Sequence, residues 1–238
     1  MNEDKVCFLS LDFETGGLLP LKSRFKDRFD NHPPGSPILS YGAILLDDNL
    51  NYIGHRAELV QPRTHDSEGN PMVITAEALA VNKLDPDYCK RRGDTVLEMC
   101  EQLNDLCALS GDSPIVLTGS NPGFDKDFWE EASRQCGIRV PKELRRRMLD
   151  TYELNVEYLI HKGYSMRAAT DNGSLPKFMK IVGMEHQAHD ALGDTVAVWK
   201  CLLLHLKNMN RDLIEPTVNK VFPNANPGTG TGNDRVGA

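Results

Sequence analysis

The sequence predicts a single α/β domain in which helices cover a mixed β-sheet. Strand-like apolar segments dominate the chain up to residue 60, and segments with helical periodicity dominate the rest. Two further short strand-like segments lie between the helices, an order that is typical of this class. No internal repeat is visible, so we expect one domain over residues 1–206 and a flexible C-terminal tail over residues 207–238.

The composition is that of a globular protein, with 40% hydrophobic and 26% charged residues among 238. No apolar run approaches the length that spans a bilayer, and the polar start lacks the features of a secretory signal. The six cysteines form no C-x-x-C pair, so we expect a cytoplasmic protein with reduced thiols and no membrane partner. A net charge of −7 disfavours nucleic-acid binding by bulk electrostatics, although an enzyme that meets phosphates at a metal site remains compatible with it.

The individual elements follow from the apolar patterns. Strands are predicted at residues 6–14, 38–46, 50–60, 114–118 and 148–150. Helices are predicted at residues 75–81, from Thr95 onward, and at 124–136, 152–161, 174–182 and 190–206. Thr95 and Glu98 have the spacing of a capping box. The segment around Lys90-Arg91-Arg92 is expected to be a loop, and the Asn-, Pro- and Gly-rich tail from Lys207 is expected to bury no core face.

The first strand ends in two acidic residues, Asp12 and Glu14, which alternation places on the same face of the strand. An ordinary strand end with two solvated acids would give the same pattern. The segment that follows, residues 18–37, has basic residues at alternate positions with Phe25 and Phe29 between them. This basic loop could contact a phosphate backbone and stack on bases, or it could be a solvated loop that the two phenylalanines anchor.

Two later segments also place acids at element boundaries. Asn121-x-x-Phe124-Asp125-x-x-Phe128 puts Asp125 in the first turn of a predicted helix, where an acid also complements the helix dipole. His189-x-Ala191-x-x-Asp194 puts a histidine at a helix start and an acid one turn later. His186 and His189 have a spacing that zinc sites use, but no third soft ligand is placed to join them.

In this order, the three segments resemble the motifs of the DEDDh branch of the DnaQ-like 3′–5′ exonucleases. The resemblance covers residues from about 5 to 206 of this sequence. It implies an RNase H-like mixed sheet of about five strands flanked by helices. Ser120 departs from the usual pattern, because a histidine often precedes the asparagine of the second motif.

The resemblance also implies roles for single residues. Asp12, Glu14, Asp125 and Asp194 would hold two divalent metal ions, Mg²⁺ or Mn²⁺, and His189 would be the general base. Backbone at Thr15 and Gly16 would receive the terminal 3′-OH, and Leu18 would pack on the end base. The remaining substrate contacts are expected from Asn121, Phe124 and, with a core position as its alternative, Phe128.

The chemistry of these residues agrees with the implied roles. Four converging carboxylates repel one another, at about 4 kcal/mol for a pair 4 Å apart at an effective dielectric of 20, and oxygen ligands of this kind suit Mg²⁺ and Mn²⁺. The function that we expect is a metal-dependent exonuclease that releases nucleoside 5′-monophosphates from single-stranded 3′ ends, with DNA slightly favoured over RNA. The alternative is a proofreading or accessory subunit with a secondary exonuclease site, and a polymerase or replication partner could dock on the tail.

Overall fold

A computed structural model describes residues 5–23, 31–186, 189–207 and 211–222. Its centre is one five-stranded sheet in the order β3-β2-β1-β4-β5. The strands are β1 (Cys7–Thr15), β2 (Ile38–Leu46), β3 (Tyr52–Leu59), β4 (Ile115–Gly119) and β5 (Leu149–Asp150). β2 pairs antiparallel with β1 and with β3, while β1, β4 and β5 run parallel. The predicted mixed sheet of about five strands is confirmed.

Helices cover both faces of this sheet. They are α1 (Ala76–Asn82), α2 (Pro86–Arg92), α3 (Val96–Ala108), α4 (Pro122–Cys136), α5 (Thr151–His161), α6 (Met166–Asn172), α7 (Leu175–Ile181), α8 (Ala191–Leu206) and α9 (Arg211–Asn219). Helices α3 and α4 pack on one face and α8 packs on the other. In the part of the chain that the structure describes, no helix has both the length and the apolar character needed to cross a membrane.

Alternation along β1 divides its side chains between the two layers. Leu9, Leu11 and Phe13 belong to the core under α3 and α4. Phe8 packs in the core under α8, and the Ser10 hydroxyl donates to the carbonyl of Thr195 in α8 at 3.3 Å. Because side chains alternate, Asp12 and Glu14 also face α8.

Helix α8 begins in close contact with the sheet at Gly42. This residue lies in β2 directly opposite Asp12 of β1. A Cβ atom at Gly42 would lie 2.5 Å from the carbonyl carbon and oxygen of Ala191 and from the backbone nitrogen of Leu192. Only a residue without a side chain therefore lets α8 approach the sheet this closely.

Three sequence predictions are wrong. The Lys90-Arg91-Arg92 segment is the last turn of α2, which Asp85 caps through its side chain and which starts at Pro86. Helix α6 was not expected at all, although its first residue follows a Ser165 cap. The tail also contains a helix, α9, at Arg211–Asn219.

This helix, α9, buries a core face, contrary to the expectation for the tail. Ile214 and Val218, four residues apart on one side of the helix, are both 0% exposed. They join the core under α8, and Val221 and Phe222 pack against the same core. The composition that predicted a flexible tail is concentrated in residues 223–238, which lie outside the described residues.

Candidate active site

The acidic pair of the first motif lies where β1 extends beyond its neighbour β4. The parallel pairing of these strands ends at Ser10 and Thr118, so Asp12 and Glu14 lie beyond the last pair. Glu14 is 9% exposed, and Asp12 is half-buried. The pair thus faces the start of α8 at an open end of the sheet.

Asp125 reaches β1 from the first turn of α4. The backbone N–H of Phe13 donates to its Oδ1 at 2.9 Å, so the carboxylate replaces the strand partner that β4 no longer supplies. Asp125 is 3% exposed. The turn before it is set by Asn121, whose φ of 64° is left-handed, and by Pro122 at the first helical position. This arrangement brings Asp125 to the same strand as Asp12 and Glu14.

The third motif adds Asp194 and His189 from the start of α8. The backbone N–H of His189, which has a left-handed φ of 64°, donates to Oδ2 of Asp194 at 3.1 Å. The Nε2 atom of His186 contacts the other oxygen of the same carboxylate. His189 is exposed, whereas His186 is half-buried.

Sequence reasoning missed two groups here. The spacing of His186 indicates at most a zinc ligand, whereas the structure places its Nε2 against the Asp194 carboxylate. Asp190 occupies the N-cap position of α8 without a side-chain capping bond, and its charge helps to raise the pKa of Glu14. Its place beside His189 in the third motif was the available signal.

Burial and mutual repulsion shape the electrostatics of the site. Burial, and then the charges of the neighbouring carboxylates, raises the pKa of Asp12 well above its usual value. Burial likewise raises the pKa of Asp125, against the opposing effect of the Phe13 N–H. Burial, followed by the charge of Asp194, raises the pKa of Glu14 to about 7. A nearby cation would favour the ionised form of all three groups.

The donor atoms present fit a hard divalent cation. Glu14, His189 and Asp194 each offer a ligand atom, and these atoms lie within 4.8 Å of one another. Among the described residues, no lysine or arginine forms an ion pair with Asp12, Glu14 or Asp125. A site rich in carboxylate oxygen with one imidazole suits Mg²⁺ or Mn²⁺ better than a soft metal.

The predicted 3′-end contacts are only partly available. Leu18 is 82% exposed beside the acidic pair. The Gly16 N–H already donates to the Pro37 carbonyl at 2.8 Å, and the Gly16 carbonyl accepts from the Thr75 N–H. The Thr15 hydroxyl donates to the Gly17 carbonyl at 2.6 Å. A terminal 3′-OH that donated to these carbonyl oxygens would therefore share them with the hydrogen bonds that they already accept.

On α4, the two phenylalanines differ in exposure. Their ring centroids are 4.8 Å apart, but Phe128 is 2% exposed and belongs to the core. The structure therefore favours the core alternative for Phe128, while Phe124 remains half-buried at the surface.

The Asn121 side chain makes no capping bond and is exposed. Of the basic loop, residues 24–30 lie outside the described residues.

An open groove adjoins the acidic cluster. It has a volume of about 680 Å³, and His189 and Asp190 line the part of it that is next to the acidic residues. Its lining extends over β2 and β3 and includes Lys200, Tyr88 and Phe222. This volume lies within the range of ligand-binding clefts.

Comparison with known proteins gives structural but no sequence matches. No protein-family model and no curated protein matches the sequence. A zinc-bound complex of E. coli exonuclease I with single-stranded DNA superposes with a TM-score of 0.63 at 17% identity. The superposition covers 92% of this chain and 43% of that one. Exonuclease I from Methylocaldum szegediense gives 0.57 at 18% identity, with the same shares of the two chains covered.

A shorter neighbour matches over almost its whole length. The nuclease domain of 3′hExo, a DEDDh family member bound to rAMP, has a TM-score of 0.60 at 12% identity. The match covers 88% of this chain and 96% of that domain. The chain spans less than half the length of the exonuclease I proteins that it matches. At these identities the likeness shows the fold, and the predicted RNase H-like fold is confirmed.

Proposed function

We propose that the chain is a metal-dependent 3′–5′ exonuclease that releases nucleoside 5′-monophosphates from single-stranded 3′ ends. The observation that carries the proposal is the meeting of three sequence segments at the open end of β1. Asp125 accepts a hydrogen bond from the backbone of β1, and ligand atoms of Asp194 in α8 and of His189 just before it lie within 4.8 Å of one from Glu14. This convergence buries carboxylates and raises their pKa values. Such an arrangement is unfavourable unless a cation binds there, so the packing of the core does not explain it.

Asp12, Glu14, Asp125 and Asp194 would hold two divalent ions, Mg²⁺ or Mn²⁺. When bound, such ions stabilise the charge that develops on the attacking and leaving oxygens of a phosphodiester. The carboxylates bring the negative charge that retains the cations, and β1 and the first turns of α4 and α8 fix their positions. The N–H of Phe13 holds the Asp125 carboxylate in place.

His189 would accept the proton of the attacking water. Imidazole is the side chain best suited to proton transfer near neutral pH. Its exposed position gives water access, and the bond from its backbone N–H to Asp194 fixes it beside the acidic cluster.

The substrate end would lie across the first motif. Leu18, an exposed apolar side chain, would pack on the terminal base, and Asn121 and Phe124, within four residues of Asp125 at the start of α4, would make further contacts. The neighbours were solved with single-stranded DNA and with rAMP, and we place DNA slightly ahead of RNA. A replication partner on the tail stays a prediction.

A degradation assay tests the proposal. DNA and RNA oligomers of equal sequence, with single-stranded or recessed 3′ ends, would be incubated with Mg²⁺ or Mn²⁺. We expect shortening from the 3′ end that Asp12→Asn and His189→Ala each reduce by about 100-fold or more. The matched control is Asp127→Asn, an exposed acid on α4, which should leave the rate unchanged. Wild-type rates in Asp12→Asn would refute the assignment.

The leucine contact has its own test. Leu18→Ala removes exposed apolar surface, so the melting temperature should not change. We expect the KM for oligomers to rise about 5- to 30-fold, since one buried aliphatic side chain contributes roughly 1 to 2 kcal/mol. An unchanged KM would exclude Leu18 from the substrate contact, whereas equal losses in stability and activity would indicate a structural role.

A further inference from the structure

Three consecutive arginines, Arg145, Arg146 and Arg147, lie on a bulge at the edge of the sheet. The segment before β5 pairs with β4 at two places, Leu144 with Ile115 and Leu149 with Thr118. Between these pairings β4 advances three residues and the facing segment advances five. The facing segment therefore carries two extra residues, which push this part of the chain outward.

The bulge is fixed at both ends. The Ile115 N–H donates to the Glu143 carbonyl at 2.8 Å, and the Arg145 N–H donates to the Ile115 carbonyl at 2.7 Å. At the other end, Leu149 and Asp150 continue the parallel ladder. The arginines thus project from a short segment with two anchored ends rather than from a long free loop.

All three arginines are exposed. Among the described residues, no carboxylate forms an ion pair with their guanidinium groups. In a chain with a net charge of −7, three adjacent unpaired cations form a local positive surface. Exposed arginines placed in this way suit phosphate groups, which their planar donors contact in pairs.

The bulge also lies next to the proposed site. Met148, its last residue, is 39% exposed, and its Cε atom lies 3.8 Å from where a Cβ of Gly123 would be. Gly123 is in the first turn of α4, two residues before Asp125. Asp150, just after the bulge, accepts a hydrogen bond from the Asn121 N–H at 3.2 Å. The residues that follow the arginines therefore contact the same turn of α4 that carries Asp125.

We propose that Arg145, Arg146 and Arg147 bind the phosphodiester backbone of the substrate strand outside the cleavage site. The proposal rests on the proposed exonuclease function. The acid cluster repels phosphates that no metal ion compensates, and a separate positive surface retains the strand between cleavage events. We expect this surface not to distinguish between base sequences, because contacts of guanidinium groups with phosphates do not depend on the base.

The test compares two triple variants. One changes Arg145, Arg146 and Arg147 to Gln, and the control changes Lys90, Arg91 and Arg92 of α2 to Gln. Both variants remove three exposed positive charges, but α2 contacts β2, which β1 and β4 separate from β5 in the sheet. A third variant with lysine at positions 145–147 keeps the charge and should retain most of the binding.

Salt dependence and substrate length give the readouts. For a single strand of roughly 20 nucleotides, loss of three phosphate contacts should weaken binding about 10- to 100-fold near 0.1 M salt. It should also make the slope of log affinity against log salt shallower by about 2. Hydrolysis of the p-nitrophenyl ester of thymidine 5′-monophosphate, which has no second phosphate to reach the bulge, should be unchanged.

The outcomes separate the two proposals. Wild-type affinity and salt slope for the long strand in the Arg→Gln triple variant would overturn the inference, as would an equal loss in the α2 control. If the wild-type chain cleaves neither substrate, the exonuclease proposal fails. In that case, fluorescence anisotropy of the labelled strand, measured with a metal chelator present, still shows whether the bulge binds a phosphate backbone.

Discussion

Gly42→Ala tests how the fold positions Asp194. Gly42 lies opposite Asp12 in the sheet, and its Cβ would lie 2.5 Å from backbone atoms of Ala191 and Leu192. These are backbone atoms at the start of α8, so no side-chain rotation relieves the contact. The start of α8 must move away from β1 and β2 to admit a methyl group.

The size of the movement follows from the contact distance. Non-bonded carbon and oxygen atoms need about 3.4 Å or more, so α8 has to shift by roughly 1 Å. Asp194 is only one turn from the point of contact and would move with it. A displacement of this size in a catalytic group costs about 100-fold in rate. The extra volume should destabilise the fold by about 1 to 3 kcal/mol.

Gly54→Ala is the matched control. Gly54 lies in β3 of the same sheet and is buried, and neither glycine has a positive φ. A Cβ at Gly54 would meet the Cδ1 atoms of Leu109 and Leu106 at 3.1 and 3.2 Å. These are ends of flexible side chains, so the contact can relax locally. We expect Gly54→Ala to keep wild-type activity.

The assay measures kcat/KM on a labelled single strand together with the melting temperature of each variant. We expect Gly42→Ala to remain folded at the assay temperature but to lose about 100-fold in kcat/KM. Wild-type kcat/KM in a folded Gly42→Ala variant would refute the argument that this glycine sets the position of Asp194. A similar loss in Gly54→Ala would show that any added volume in the sheet impairs the site.

Three further predictions concern metal, pH and the last helix. At a fixed concentration, about 100 times its Kd at pH 8, Mn²⁺ should stabilise the chain by about 3 kcal/mol. The stabilisation should be smaller at pH 6, because Glu14, with a pKa of about 7, must lose its proton to bind the metal. An equal shift in Asp194→Asn would place the metal elsewhere. Burial lowers the pKa of His205 from 6.5 to about 4, so the unfolded chain binds a proton first, and stability should fall by about 3 kcal/mol as the pH drops from about 6.5 to about 4. If the melting temperature of a His205→Gln variant fell with pH as steeply as that of the wild-type chain, the prediction would be contradicted. Ile214→Ala should destabilise the fold by about 2 to 4 kcal/mol in urea unfolding, and a loss no greater than that of the exposed Leu206→Ala would mean that α9 contributes little.

The local parts of the site could be predicted from the sequence. Alternation along one strand was sufficient to put Asp12 and Glu14 on one face, and helix periodicity was sufficient to put Asp194 near the start of α8. The motif spacing predicts that His189 and Asp194 lie together, and the His189 backbone N–H donates to the Asp194 carboxylate. These inferences depend on residues that are close in the chain.

The missed features depend on contacts between distant segments. The need for glycine at position 42 follows from its pairing with Asp12 and from the approach of α8, and neither is visible in the sequence around it. The sequence left Phe128 open between a substrate contact and a core position, and its core position depends on which side of α4 faces the sheet. The bonds of the Gly16 backbone to Pro37 and Thr75 likewise join three segments.

For α9 the sequence signal was present but was outweighed. Ile214 and Val218 have helical spacing, yet the Asn-, Pro- and Gly-rich residues after them dominated the composition of the tail. Pro216 lies inside this helix, which also argued against helical structure there. Burial of two apolar side chains against the core under α8 offsets that cost.

Product analysis tests the central claim most directly. A single-stranded oligomer labelled at its 5′ end would be incubated with the chain and Mn²⁺, and both the shortened strands and the released products would be identified by mass spectrometry. The account predicts a ladder that shortens one nucleotide at a time from the 3′ end, with nucleoside 5′-monophosphates as the products, and no ladder with Asp125→Asn. Internal cuts, release from the 5′ end or a ladder that persists in Asp125→Asn would contradict it.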